Sequence, residues 1–438
     1  MKKLAVFVIS LLRAWLVLGG EAGPSPLTLR EAEERALRSH PKITVAELAF
    51  LVAKEAVTDA RSPMFPSITG SATVVGADGD NTRIAAGGLN NPVIYDRGAF
   101  GLGMSWQLFD FGRTANLLDS AKLHARAEEK AIAATRAQIR MLVDAAYYTV
   151  LQGGAVLRVA RQAVDTRQIF RDQVAVLTTN QLKSELDLSF ADSSLAEARV
   201  LVSRAGNEER AAQARLAALL GERTGRDFML LDESDQATGT ADVESLIMLA
   251  LANRPELVRL RLDHDSAGKF AQAERALNYP TITALGAAGV IPEHGPKLPD
   301  NYLAGGFNLS LPIFTGLHNR AKVRTAELRV QAVEQTLIEE ENNVIRDVRV
   351  TWLTVNNAVE QEGLTAKLLE TADRAAALAD AKYRAGATSI AELAQAQMNQ
   401  TAAGIARANA RYGRLIQQSI LDFQIGRIVL PPPASRAP

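Results

Sequence analysis

Side chains able to do chemistry are few and dispersed along this chain. The five histidines, His40, His124, His264, His294 and His318, contain no pair at metal-ligand spacing. Cysteine is absent, which removes disulfides, thiolate metal sites, iron–sulfur clusters and cysteine nucleophiles. No G-x-S-x-G, no H-E-x-x-H and no phosphate loop ending in Gly-Lys-Ser/Thr occurs. No catalytic, metal or cofactor site is therefore expected. The 49 basic and 49 acidic residues cancel, so a nucleic-acid partner is not expected either. Carboxylates remain, and two of them, Asp187 and Glu392, become notable through the architecture that positions them. Each follows a break between long helical stretches. Read from the residues alone, each is a solvated acid in a helix first turn, favoured by the dipole.

The architecture emerges from proline spacing. No proline occurs between Pro92 and Pro255, or between Pro312 and Pro431. Proline breaks helix interiors at a cost of about 3 kcal/mol, so these gaps mark long helices. The alternation of proline-containing and proline-free zones implies a repeat. A shift of 214 residues places Pro41 on Pro255, Arg61 on Arg275 and Pro66-Ser67-Ile68-Thr69 on Pro280-Thr281-Ile282-Thr283. A shift of 205 then places Phe109 on Phe314, Ser184 on Ser389, Asp187 on Glu392 and Gly221 on Gly426. The chain is an internal duplication, with a nine-residue-longer loop in the first copy.

Each copy carries two segments of period two, expected as strands at about 67–76, 98–109, 281–290 and 302–313. Ile68, Gly70, Ala72 and Val74 alternate with Ser67, Thr69, Ser71 and Thr73; Phe100, Leu102, Met104 and Trp106 alternate with Ala99, Gly101, Gly103 and Ser105. One face is apolar and the other small or polar. About ten residues suits a bilayer-spanning strand with a wet lumen behind it. Phe65, Phe109, Phe111, Tyr279 and Phe314 cluster near the strand ends, where an interfacial girdle would sit. A soluble sandwich with one buried face fits the same alternation. Four strands cannot close a barrel with a lumen, so a membrane reading requires several chains, and twelve strands from three chains is a sensible closure.

Helices are expected at about 114–178 and 318–384, followed after a break by about 186–220 and 390–425. At 1.5 Å per residue, some 65 residues extend roughly 100 Å. These segments form two antiparallel hairpins, with a polar linker at 221–241. Thr28 with Glu31 reads as a capping box, and Asp242 as the corresponding cap in the second copy. At the N-terminus, Lys2-Lys3, an apolar run interrupted by Arg13, and small residues through Gly23 read as a secretory signal over 1–22, an uncleaved anchor being the alternative. The expected organisation is a first repeat at 23–241, a second at 242–428 and a disordered proline-rich tail at 429–438.

Motif order adds a family resemblance. Leu37 with His40-Pro41 is followed by Ala60-Arg61-Ser62-Pro63-Met64-Phe65-Pro66, then Trp106-Gln107-Leu108-Phe109-Asp110-Phe111-Gly112-Arg113. In the second copy come Asn253-Arg254-Pro255-Glu256-Leu257, Tyr279-Pro280, Leu311-Pro312-Ile313-Phe314-Thr315-Gly316 and Tyr383-Arg384-Ala385-Gly386-Ala387-Thr388-Ser389. This series, over about Leu27 to Ile428, resembles the outer-membrane efflux protein family, the TolC-like channels. The resemblance implies a mainly α fold with a β-barrel portion: four transmembrane strands per chain, twelve in a homotrimer, continuous with a periplasmic tube of long coiled-coil helices. It implies a passive exit duct in the outer membrane of a Gram-negative bacterium, in contact with outer-membrane lipid. A periplasmic adaptor and an inner-membrane pump of RND or ABC type would complete a tripartite efflux or type I secretion system. A soluble periplasmic coiled-coil adaptor or scaffold is the competing reading.

The resemblance also assigns roles. Asp187 and Glu392 would line the closed periplasmic constriction, with Gln395 where some relatives carry a second acid. Tyr383, Arg384 and Thr388 would make interhelix hydrogen bonds that hold the gate, or form an ordinary polar turn. Gln181, Leu182, Gly386 and Ala387 are the tip positions that would meet the adaptor. Three departures stand out. The N-terminal lipidated cysteine of many relatives is absent, so the barrel alone would hold the protein in the membrane. Thr315-Gly316-Leu317-His318 replaces Asp-Gly-Gly-Arg, and Gln181 replaces the tip glycine.

Overall fold

The structure is a computed structural model that describes residues 26–76, 81–83, 93–95, 97–222, 228–232, 242–294 and 299–427. The expected signal segment, most of the linker and the tail lie outside these residues. The chain is mainly helical with a small sheet. In the first copy, α1 (Leu29–Ser39) and α2 (Pro41–Arg61) lead to β1 (Ser67–Val75), a short pair β2 (Asn81–Arg83) and β3 (Val93–Tyr95), then β4 (Arg97–Phe109), α3 (Arg113–Thr179) and α4 (Glu185–Leu220). In the second copy, α5 (Val243–Asn253) and α6 (Pro255–Arg275) lead to β5 (Thr281–His294), β6 (Asn301–Ser310), α7 (His318–Arg384) and α8 (Ile390–Gln424).

Local chemistry sets these boundaries. Thr28 and Glu31 close the expected capping box at α1, and Asp242 accepts from the Ser245 amide at 3.3 Å. The opening helix of each copy divides at its proline, because the residue before proline is driven out of the helical region: His40 and Arg254 both have ψ of 121°. β6 ends at Ser310 rather than near 313, since Pro312 offers no N–H to a ladder. β2 and β3 pair within the longer loop of the first copy.

The four long strands form an antiparallel sheet in the order β1-β4-β5-β6. Register carries the two faces across it. Gly70, Leu102, Ala288 and Leu303 stand in one row, and Ser71, Gly101, Gly289 and Tyr302 in the next. The apolar face is bare within the chain: Val74 is 85% exposed, Leu303 87% and Phe307 79%. That distinguishes it from the inner face of a sandwich, which a second sheet would cover. Among the described residues, no helix is long and apolar enough to cross a membrane.

The chain forms two compact units that each draw on both copies. One comprises Met1–Pro41, Ala137–Ser245 and Arg349–Pro438; the other comprises Lys42–Arg136 and Leu246–Val348. The first holds both hairpin ends and buries Val143, Tyr147, Leu216, Leu393 and Tyr412. Alanine and glycine permit close helix approach there: a Cβ at Gly153 would stand 3.1 Å from the Glu209 backbone. The second unit holds the sheet and the helical segments joined to it.

Candidate functional site

The two hairpin turns share a backbone and differ in side chains. α3 ends in a Schellman motif, with the Leu182 amide on the Leu177 carbonyl at 2.9 Å; α7 ends likewise, with Ala387 on Lys382 at 2.8 Å. The left-handed residue is Gly386 in the second turn (φ 72°) and Gln181 in the first (φ 59°). A side chain there costs about 1 kcal/mol. Replacing Gln181 with glycine is therefore expected to tighten the first turn. Hydrogen exchange of the Leu182 amide should slow about fivefold for a gain near 1 kcal/mol; unchanged or faster exchange would contradict the strain.

After each turn a serine caps the next helix. Ser184 accepts from the Asp187 amide at 3.1 Å, and the Asp187 carboxylate accepts from the Ser184 amide at 3.2 Å. Ser389 accepts from the Glu392 amide at 3.3 Å, while the Glu392 carboxylate is taken by the Thr388 hydroxyl. Both acids thus act as first-turn acids within the chain. Glu392 is exposed and Asp187 half-buried.

The three residues expected to bond across helices behave differently within the chain. Thr388 bonds Glu392 of the helix it precedes, and Arg384 pairs with Asp380 on its own helix at 2.9 Å. Tyr383 does cross, through its ring rather than its hydroxyl. It meets Phe170 edge-on at 5.3 Å, and the Lys183 ammonium lies 4.5 Å from its ring centre. Tyr383 is 7% exposed, and its hydroxyl has no hydrogen-bond partner among the described residues. Phe170, Val174 and Ala191 of the first hairpin and Ala379, Tyr383, Ile390 and Leu393 of the second make one apolar cluster. Above it, Arg167 ties α3 to α4 by donating to the Ser194 carbonyl at 2.8 Å; burial lowers its pKa, partly offset by Glu197. Phe170 and Lys183 were not legible as site residues, because the 205-residue shift sets Tyr383 against Thr178.

In the second unit the strand-to-helix turns repeat the same theme. Asp110 is buried and accepts from the amides of Gly112 at 3.1 Å and Thr114 at 2.7 Å, capping α3. Gly112 is left-handed there (φ 81°). Its counterpart turn has Thr315, whose hydroxyl accepts from Asn319 at 3.4 Å, with Leu317 at φ 67°. Phe109 lies 4.8 Å from Phe111, which stacks on Tyr279 at 5.3 Å. Phe65 receives the Arg61 guanidinium at 5.5 Å, and Phe314 is exposed. Among the described residues, no cluster of histidine and carboxylate groups could hold a metal.

Comparison with known proteins accords with this geometry. The family profile described as "Outer membrane efflux protein" matches residues 33–222 and 246–427, one match per copy. Outer membrane protein TolC of Vibrio cholerae serotype O1 is 24% identical over 435 residues, covering 91% of this chain and 93% of that protein. The outer-membrane channel OprN superposes with a TM-score of 0.79 at 20% identity, covering 91% of this chain and 89% of its own. The outer membrane protein VceC of Vibrio cholerae gives 0.78 at 18%, covering 91% and 96%. The chain belongs to the outer membrane efflux protein family, and it is an outer-membrane efflux channel with a large periplasmic part.

Proposed function

We propose that three copies of this chain close a twelve-stranded barrel and serve as the passive exit duct of a tripartite efflux or type I secretion system. A periplasmic adaptor meets the hairpin turns at Gln181, Leu182, Gly386 and Ala387, and an RND or ABC pump in the inner membrane drives transport. The observation that carries this reading is the bare apolar face of a sheet whose edge strands, β1 and β6, pair with nothing among the described residues. Such edges invite pairing with another chain, and closure removes them. Lipid satisfies the apolar face, with Phe65, Phe109, Phe111, Tyr279 and Phe314 at its border. The competing adaptor reading leaves that face and both edges exposed to water.

The gate in this reading lies at the hairpin turns. Three Asp187 and three Glu392 carboxylates surround the closed opening, and cations bind between them. The test is conductance of the purified protein in planar bilayers. Detergent-extracted protein should run as a trimer and form cation-sensitive channels. Asp187→Ala with Glu392→Ala should raise conductance and abolish block by divalent cations. Unchanged conductance and block would remove both residues from the gate; recovery of the wild type as a soluble periplasmic monomer would remove the channel assembly.

A further inference from the structure

Within the first compact unit, two carboxyl groups are buried together against one guanidinium. Glu33 of α1 is 7% exposed and Asp144 of α3 is 5% exposed. Glu33, through its charge and a side-chain hydrogen bond, raises the pKa of Asp144 beyond the effect of burial. Arg140, one helical turn before Asp144, places Nε 2.9 Å from Glu33 Oε1. From α8, the Ser419 hydroxyl donates to Asp144 Oδ2 at 3.2 Å. Asp144 Oδ1 is buried and has no donor. Burial raises the pKa of Asp422, also on α8, against the opposing pull of Gln418, Arg427 and Arg140.

The charge balance at this point does not close with both acids ionised. Arg140 neutralises Glu33, and among the described residues no second cation pairs with Asp144. A buried, unpaired carboxylate beside another carboxylate is costly, and such a pair binds a proton instead. A shared proton also gives Glu33 and Asp144 a real hydrogen bond. We propose that Glu33 and Asp144 share one proton, and that this proton fastens α1 to α3 and α8 in a pH-dependent joint. The seat of α1 is otherwise made by neutral bonds and by the more exposed Arg35–Glu222 ion pair at 3.9 Å. Tyr147, three residues after Asp144, donates to the carbonyls of Leu27 at 2.8 Å and Leu231 at 2.7 Å, and Ser39 Oγ donates to the Leu220 carbonyl at 2.8 Å. The joint is therefore the contact of this seat in which two carboxyl groups are buried.

The direction follows from linkage. Burial, then the Glu33 charge, raise the Asp144 pKa from 3.8 to about 8, against the opposing pull of Arg140 and Ser419. A raised folded value gives stability that is full below the ordinary carboxyl pKa and declines as pH rises to about 8. As pH rises toward that value the seating constant of α1 should fall, by at most about tenfold per pH unit for one proton.

Hydrogen exchange of the α1 amides, corrected for intrinsic rates, reads this constant in the full-length protein. The wild type should lose protection as pH rises toward about 8. Asp144→Asn should be flat, because its amide donates to Glu33 and its carbonyl accepts from Ser419 at every pH. An equal slope in wild type and variant overturns the proposal. Should that variant not fold, infrared titration of the protonated carboxyl stretch in the wild type and in Ser419→Ala gives the same decision. Removing the hydroxyl that favours the ionised form must move the midpoint upward; an unmoved midpoint, or no titrating band, overturns it.

Discussion

Replacing Gly289 with alanine is expected to eliminate folded protein from the outer membrane. Gly289 of β5 stands in register between Gly101 of β4 and Tyr302 of β6. The Tyr302 ring lies across both glycines. A Cβ at Gly289 would meet Tyr302 Cζ and Oη at 2.6 Å, and it would press still harder on the Phe100 carbonyl oxygen. A ring can rotate away, but a ladder carbonyl cannot move without breaking the pairing of β4 with β5. Overpacking of this kind costs about 1–3 kcal/mol where side chains alone must yield, and more where backbone is the obstacle. Gly306, on β6, supplies the control, because a Cβ there meets nothing within 4 Å. Gly306→Ala should accumulate at the wild-type level in detergent-extracted outer membranes, and Gly289→Ala should not. Adding Tyr302→Ala should not restore it, because the Phe100 oxygen remains. Wild-type accumulation of Gly289→Ala would contradict the close approach of the three strands.

Much of this arrangement was legible in the sequence, for identifiable reasons. Period-two alternation marks a strand face whatever covers it, so the rows Ile68–Val74 and Phe100–Trp106 fell on one face as expected. Proline is equally unambiguous, and both copies break their opening helix at it. The long helices followed from uninterrupted helix formers, and their observed limits lie within a residue of expectation. The Gln181 anomaly was also readable, because a duplicated frame exposes a lone departure from glycine.

Other features were hidden by physics that one-dimensional pattern does not encode. A polar side chain near a helix start has several acceptors within reach, and the nearest wins because it orders the fewest torsions. Within the chain, Thr388, Arg384 and Asp187 therefore resolve to partners within four residues rather than on a facing helix. The Phe170–Tyr383 contact joins the two copies at positions that are not repeat equivalents. Glu33 and Asp144 interrupt otherwise apolar stripes 111 residues apart, and only the folded chain brings them together.

The Tyr383 ring, and not its hydroxyl, is expected to hold the turns of the two hairpins against one another. The hydroxyl is buried without a partner, a condition that costs about 1–3 kcal/mol. Its removal in Tyr383→Phe leaves the ring on Phe170 and under Lys183, so stability should be unchanged or improved. Removal of the ring in Tyr383→Ala empties the centre of the cluster that includes Val174, Ile390 and Leu393. Large-to-small changes of this kind cost about 3–5 kcal/mol, and the cation–π contact adds about 0.5–1 kcal/mol. If opening requires the two hairpins to part, this energy belongs to the closed state alone, and losing about 3 kcal/mol shifts the closed–open balance by two orders of magnitude. Single-channel recordings should therefore show a conductance for Tyr383→Phe close to wild type, and a largely open channel for Tyr383→Ala. Equal opening by the two variants would assign the restraint to a hydroxyl bond made only between protomers. A closed Tyr383→Ala channel that folds normally would remove the cluster from gating altogether.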